Sequence, residues 1–144
     1  MTTLTILCCI YACAIIPATA SGASRRSATT GIATYYTVKS CQREGTSGVL
    51  TASGARYVES AMTCALLFHP RKVNGRRQWC GKWRITNLQT GKSITVTHTD
   101  YGPGKKARKR GVVVDLTPAA FLALGGKLRD GRLKVKVEKL GEVK

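Results

Sequence analysis

From Gly31 to Leu140 the apolar positions fall in short runs, each closed by glycine or a cluster of small polar residues, and most runs are too short for helices. GIATYYTV, starting at Gly31, is rich in β-branched and aromatic residues and predicts a strand, and SCQREGTSG after it predicts a loop. KWRITNL and KSITVTHT alternate in polarity around Gln89-Thr90-Gly91 and predict a hairpin. Between the apolar run MTCALLF and that hairpin lies RKVNGRRQWCG, which predicts a basic loop. GVVVDL is continuously apolar, as expected of a strand covered on both faces. TPAAFLALGG supplies the one clear helix, with Thr117 as N-cap, Pro118 at the first helical position and Gly125 just past the end. GRLKVKVEKL closes the pattern as a strand with Leu133, Val135 and Val137 on one face and lysines on the other. Many short strands with one short helix predict an all-β domain, a small closed barrel over 31–140.

The segment before the barrel changes where the protein is expected to work. Residues 1–20 contain no Lys, Arg, Asp or Glu, are largely apolar, and end in Ala18-Thr19-Ala20, a small-x-small cleavage pattern. They read as a signal peptide cleaved near Ala20, with secretion or a cell-wall or periplasmic location as the consequence. A short membrane anchor is the alternative; lipidation at Cys13 is disfavoured by the bulky Tyr11 before it. Residues 21–30, SGASRRSATT, read as a flexible leader. Charge sharpens the picture: 24 Lys and Arg stand against 7 Asp and Glu, a net charge of +17 carried wholly beyond position 20. Such a chain seeks polyanions, and for an exported protein those are anionic wall polymers. Zinc-finger spacing and a basic heptad helix are both missing, so no specific nucleic acid partner is expected, and a monomer suffices.

Cleavage removes Cys8, Cys9 and Cys13 and leaves Cys41, Cys64 and Cys80, which allow one bridge in three pairings. Cys80, lying between two loops, is the expected participant. His69 and His98 form no tight ligand spacing with them, so no metal is expected. The candidate chemistry lies in THTDYGPG, Thr97 to Gly104, where Asp100 stands two residues after His98 and before the basic run KKARKR. Asp100 is either a turn former before Gly102-Pro103 or a working carboxyl group. A strand places residues i and i+2 on the same side, so His98 and Asp100 are expected to share a face and form one site.

GIATYYT, LTASGARY, WRITNLQTGKSITV, HTDYGP and VVVDLTPAAFLAL follow the order and spacing of the rare lipoprotein A (RlpA) family, and the match spans Gly31 to Leu140. The resemblance implies a six-stranded double-psi β-barrel with one or two short helices and, in active members, a lytic transglycosylase that cuts peptidoglycan glycan strands without a cofactor. One carboxyl group is enough for that reaction, because the acid that protonates the glycosidic oxygen then takes a proton from the sugar's own C6 hydroxyl. Asp100 matches the family's Asp of Asp-x-Gly-Pro and is the catalytic candidate. The chain departs from the family at Ala55, Val58 and Leu66, where active members carry polar residues; Glu59 and His69 lie nearby.

The related expansin domain shares the architecture, and its His-Phe-Asp resembles His98-Thr99-Asp100. That resemblance implies a polysaccharide partner, with Thr34, Asp100 and Asp115 as polar glycan-binding residues, His98 beside them and Tyr101 as an aromatic one. Asp115 also has a helix-dipole reading, since it precedes the Thr117 helix start. Trp79, in the basic loop, is a candidate for stacking on sugar, whereas Trp83 inside its strand is expected to pack in the core. Two functions follow: a lytic transglycosylase forming anhydromuramic ends, or a non-lytic module that binds and loosens wall polysaccharide.

Overall fold

The computed structural model describes residues 28–45, 47–67, 71–79 and 81–140. The signal-peptide reading, His69 and Cys80 therefore lie outside the described residues, as does most of the leader. The elements run β1 (Ala28–Tyr35), α1 (Val38–Arg43), β2 (Thr63–Leu66), β3 (Arg71–Val73), β4 (Arg76–Gln78), β5 (Lys82–Asn87), β6 (Ser93–Tyr101), α2 (Lys105–Lys109), β7 (Val112–Leu116), α3 (Pro118–Ala123) and β8 (Leu133–Lys139). Six strands close a barrel in the order β1-β7-β2-β6-β5-β8, while β3 and β4 form a separate two-stranded sheet. Closure leaves no strand edge in the barrel to pair with another chain. This is the all-β double-psi barrel that the sequence implied.

The barrel is mixed. β1 runs parallel to β7 and β2 parallel to β6, the two pairs being joined by the antiparallel contact of β2 with β7. Each parallel pair carries one register shift, at Ile32/Ala33 and at Cys64/Ala65. The interior is filled by alternate residues of the strands, among them Ala33, Leu66, Ile85, Val96, Val114 and Val137, and is plugged by Phe121 and Leu124 from α3 and its end. Each large apolar side chain so buried contributes about 1.5–3 kcal/mol. Trp83 belongs to this core, as its strand position predicted.

Three expectations need correction. Strand β1 starts at Ala28, not Gly31: Ala28, Thr29 and Thr30 pair with Glu138, Val137 and Lys136 although all three are exposed, so backbone bonding and not burial extends the strand into the supposed leader. The described residues form three short helices. SCQREGTSG holds most of α1, capped by a box in which Thr37 and Ser40 each bond the other's backbone N–H, and KKARKR holds α2; neither buries a residue, so neither leaves an apolar stripe in the sequence. The basic loop RKVNGRRQ is a hairpin, β3 and β4 joined by Asn74-Gly75 with φ of 49° and 75°, the positive pair of a type I′ turn. At α3 the predicted boundaries hold, with Gly125 at φ +88° after the last turn, but the Thr117 hydroxyl donates to the Ala61 carbonyl instead of capping its own helix.

Candidate active site

The second register shift builds the site. Cys64 pairs with His98 and Ala65 with Asp100, so Thr99 is an extra residue in β6. Adjacent residues of β2 point to opposite sides. His98 therefore lies on the core side with Cys64, and Asp100 on the outer side with Ala65. Ala65 also pairs with Asp115 on β7, and Asp115 with Thr34 on β1. Thr34, Asp115, Ala65 and Asp100 thus form one row across four neighbouring strands. Tyr36 continues the outer side of β1 beyond Thr34.

Asp100 is anchored by one oxygen. Its Oδ1 accepts the backbone N–H of Tyr101 at 2.8 Å and of Ala52 at 3.1 Å; among the described residues Oδ2 has no hydrogen bond. Ala52 comes from the tight turn of TASG, which Thr51 closes by donating its backbone N–H and its hydroxyl to the Ala55 carbonyl, with Gly54 at φ +85°. The next residue, Ser53, donates its N–H to the carbonyl of the bulged Thr99. The TASG segment therefore fixes both the carboxylate and the bulge that presents it. On the other flank Gly102 N–H donates to Leu66 O at 2.9 Å, and a Cβ at Gly102 would sit 2.4 Å from the Leu66 carbonyl carbon. Only glycine lets the chain leave β6 this close to β2.

His98 does not share the face of Asp100; the bulge turns it inward, where it is 4% exposed. Its Nε2 lies 2.9 Å from the Asp100 carbonyl, which can only accept, so Nε2 carries the proton. Burial lowers the His98 pKa, outweighing the carbonyls of Asp100 and Leu66 that favour the cation, so the ring is neutral at pH 7. His98 supports Asp100 from behind. Trp79 sets its ring edge-on to His98 at 5.2 Å and to Tyr101 at 5.0 Å. Tyr101 is 40% exposed, and its hydroxyl accepts from Arg77 Nη1 at 2.6 Å.

At the other end of the row the Thr34 hydroxyl donates to Asp115 Oδ1. Burial raises the Asp115 pKa; the Thr34 hydrogen bond works against it, and the charge of Glu44 adds to it. Tyr36, which the sequence reading did not single out, has a buried hydroxyl without a partner among the described residues and lies within the electrostatic reach of Asp100. Its ring packs on Tyr57 at 4.9 Å, and the Tyr57 hydroxyl donates to the Tyr36 carbonyl at 2.6 Å. The two-residue spacing from Thr34 in GIATYYT was the signal for it.

The positions that depart from the family pattern fall in different places. Ala55 is exposed and Val58 is 44% exposed, but Leu66 is 1% exposed in the barrel core and is not a position of the outer face. Glu59 accepts the Val38 N–H at the start of α1. Among the described residues no cluster of three His, Cys, Asp or Glu side chains is placed to hold a metal ion.

A family profile described as lytic transglycolase matches residues 28–137, nearly the whole described barrel. The chain belongs to the RlpA-like double-psi β-barrel family. Within that family it is 34% identical over 111 residues to a probable endolytic peptidoglycan transglycosylase RlpA of Nostoc sp., a match that covers 77% of this chain and 25% of the relative. The chain thus spans about a quarter of the length of that RlpA protein. Among solved structures, the Streptomyces papain inhibitor superposes with a TM-score of 0.58 at 21% identity, covering 80% of this chain and 96% of the inhibitor. The expansin of Clavibacter michiganensis superposes at 0.51, and a variant of it in complex with cellohexaose at 0.52, each 17% identical and covering 82% of this chain and 52% of the expansin. At these identities the structural likeness establishes the RlpA-like chain's fold and nothing further.

Proposed function

We propose that this chain is an exported cell-wall protein that acts on peptidoglycan glycan strands as a lytic transglycosylase, with Asp100 moving the proton. The observation that carries the reading is the asymmetric anchoring of Asp100: Oδ1 is held by two backbone N–H groups, and among the described residues Oδ2 has no hydrogen bond and is left for a proton. The kinship with a probable peptidoglycan transglycosylase supports the choice of substrate. In the reaction Oδ2–H protonates the glycosidic oxygen as its bond to C1 breaks. The resulting carboxylate then takes the proton of the C6 hydroxyl as O6 bonds to C1, which closes an anhydro ring and returns the acid. Thr34, Asp115 and Tyr101 hold the strand along the row and at its end. The positive charge of Lys72, Arg76 and Arg77 in the β3–β4 hairpin and of α2 retains the protein on anionic wall polymers.

A second reading, a non-lytic expansin-like module, is favoured by one feature. Ala55 and Val58 leave Asp100 without the polar neighbours that active relatives carry, and a row of Thr34, Asp115 and Asp100 is sufficient to bind sugar hydroxyls.

Mass spectrometry of purified glycan strands after incubation separates the two. Anhydromuramic ends are expected with the wild type and are reduced about 100-fold or more in Asp100→Asn, which keeps a carbonyl for the Ala52 and Tyr101 N–H groups but cannot exchange a proton. Melting temperature and strand binding stay unchanged in the variant. Equal cleavage by the variant removes Asp100 as the acid; binding without any product from the wild type at any pH leaves the expansin-like reading.

A further inference from the structure

The row that holds Asp100 crosses β1, β7, β2 and β6, one half of the closed barrel; β6, β5, β8 and β1 make the other half. The inward residues of that second half, Trp83, Ile85, Val96, Val135 and Val137, lie in the core, so the residues alternating with them point outward. On β5, β8 and the first part of β6 every outward residue is polar. One level reads Thr95, Arg84 and Glu138 across the three strands, and the next reads Ser93, Thr86 and Lys136.

The cations of this face fall in a line. Lys134 stands level with Leu88, Lys136 with Thr86, Glu138 with Arg84 and Leu140 with Lys82. Successive levels along the strands therefore carry Lys134, Lys136, Arg84 and Lys82, the first two on β8 and the last two on its neighbour β5. Each step is two strand residues, about 6.7 Å, and the crossing from β8 to β5 adds about 4.8 Å sideways. Lys82, Arg84 and Lys134 are exposed and have no ion pair among the described residues. Lys136 is half-buried and pairs at 2.8 Å with Glu138, the one acid on the face. On the β6 side Thr97, Thr95 and Ser93 set hydroxyls level with Lys82, Arg84 and Thr86.

One cation per level fits an extended polyanion with one charge per step. Two residues of backbone are six bonds long, and so is the repeat of a polymer in which phosphodiesters join three-carbon units. Single-stranded nucleic acid has the same repeat, but proteins hold it by stacking its bases on aromatic side chains, and no aromatic residue points outward from β5, β8 or residues 93–97. We propose that this face is a second binding site, on the half of the barrel that does not carry the Asp100 row, for a poly(glycerol phosphate) chain laid along the line of cations. Its phosphates meet Lys134, Lys136, Arg84 and Lys82 in turn, and the β6 hydroxyls donate to phosphate oxygens. The assignment goes beyond the cleavage proposed above and does not depend on it.

Calorimetric titration of a synthetic glycerol phosphate hexamer tests it on the wild type, on the face variant Lys82→Gln/Arg84→Gln/Lys134→Gln, and on a helix variant, Lys105→Gln/Lys106→Gln/Arg108→Gln, that loses the same charge from α2. The wild type is expected to bind this hexamer about tenfold more tightly than oligothymidylate with the same number of phosphates, or than a ribitol phosphate hexamer, whose repeat is two bonds longer. The face variant loses about tenfold or more, and its slope of log K against log salt falls by about 2, roughly 0.7 for each lost phosphate contact. The helix variant loses less than about threefold. Arg84→Gln alone, at the centre of the line, gives an intermediate loss and keeps the test open if the triple variant does not fold. Equal losses in the face and helix variants overturn the proposal, since net charge then explains the binding. Equal or tighter binding of oligothymidylate overturns it in favour of nucleic acid, and binding to phosphatidylglycerol vesicles without binding to the hexamer overturns it in favour of a membrane surface. Failure of the wild type to bind the hexamer removes the site. None of these outcomes bears on glycan cleavage, which is read by its own product.

Discussion

Asp115 shows how one residue carries two obligations. It sits among the outer positions of β7 beside Thr34, and burial disfavours its charged form. For an acid whose folded pKa is raised, the folded state holds the proton more tightly than the unfolded chain. The stabilisation is therefore full below the ordinary aspartate value, about 3.9, and is lost as pH rises through the higher folded value. Asp115→Asn is expected to flatten that part of the melting-temperature profile and to match or exceed the wild type at pH 7. Thr34→Val, which deletes the hydrogen bond that lowers the pKa, should extend the loss to higher pH. Thermal melts from pH 3 to 8 check both, and a wild-type profile that rises steadily over that range would contradict the burial argument. Asp100 was legible in HTDYGP itself, whereas Asp115 and Thr34 were reached through the expansin resemblance. The contact between those two was not legible, because they lie 81 positions apart and meet through the parallel pairing of β1 with β7.

Among the elements, β6 is where expectation and structure part. Alternation alone puts His98 and Asp100 on one side, and the bulge at Thr99 separates them; no local pattern marks that extra residue, which is set by pairing with β2. The strands with clean alternation, β5 and β8, and helix α3 were legible because each buries one face. Helices α1 and α2 bury nothing and left no periodic mark, whereas the β3–β4 hairpin did have its signal in Asn74-Gly75, obscured by the surrounding charge. The exit of β6 yields a prediction at the same scale. Gly102→Ala places a methyl group against the backbone of Leu66 and Leu67, which cannot swing aside as a side chain can. A loss of about 2–3 kcal/mol in urea unfolding is expected, in the upper part of the range for overpacking. Strand cleavage should fall with it, since Asp100 and Tyr101 must shift. A variant of wild-type stability would mean that β2 and β6 have room to separate.

For the whole molecule the governing quantity is +17 on a small barrel. Among the described residues the ion pairs are Arg129 with Asp130 and Lys136 with Glu138, both away from α2 and the hairpin. The charge of those segments is thus available to partners. Retention on purified cell-wall sacculi should weaken steeply between 0.1 M and 1 M salt, as the screening length falls from about 10 Å to about 3 Å. Replacing Lys105, Lys106, Arg108, Lys109 and Arg110 with Gln should lower retention at low salt and leave the melting temperature unchanged or higher, because α2 buries none of its side chains. Salt-insensitive retention of both proteins would show that charge is not what holds them. The barrel's pairing has one more consequence. A half-turn about an axis between β2 and β7 exchanges the two parallel pairs, each with one register shift, and although the extra residue is on β7 in one pair and on β6 in the other, the pairing along the row is its own image. A polysaccharide is not, since it has a reducing and a non-reducing end. The exchange sets Asp115 against Ala65 and Thr34 against Asp100, and a chain laid one way along the row meets different groups from a chain laid the other way. A polysaccharide bound along the row would have its direction read by four side chains on a scaffold that has almost no direction itself.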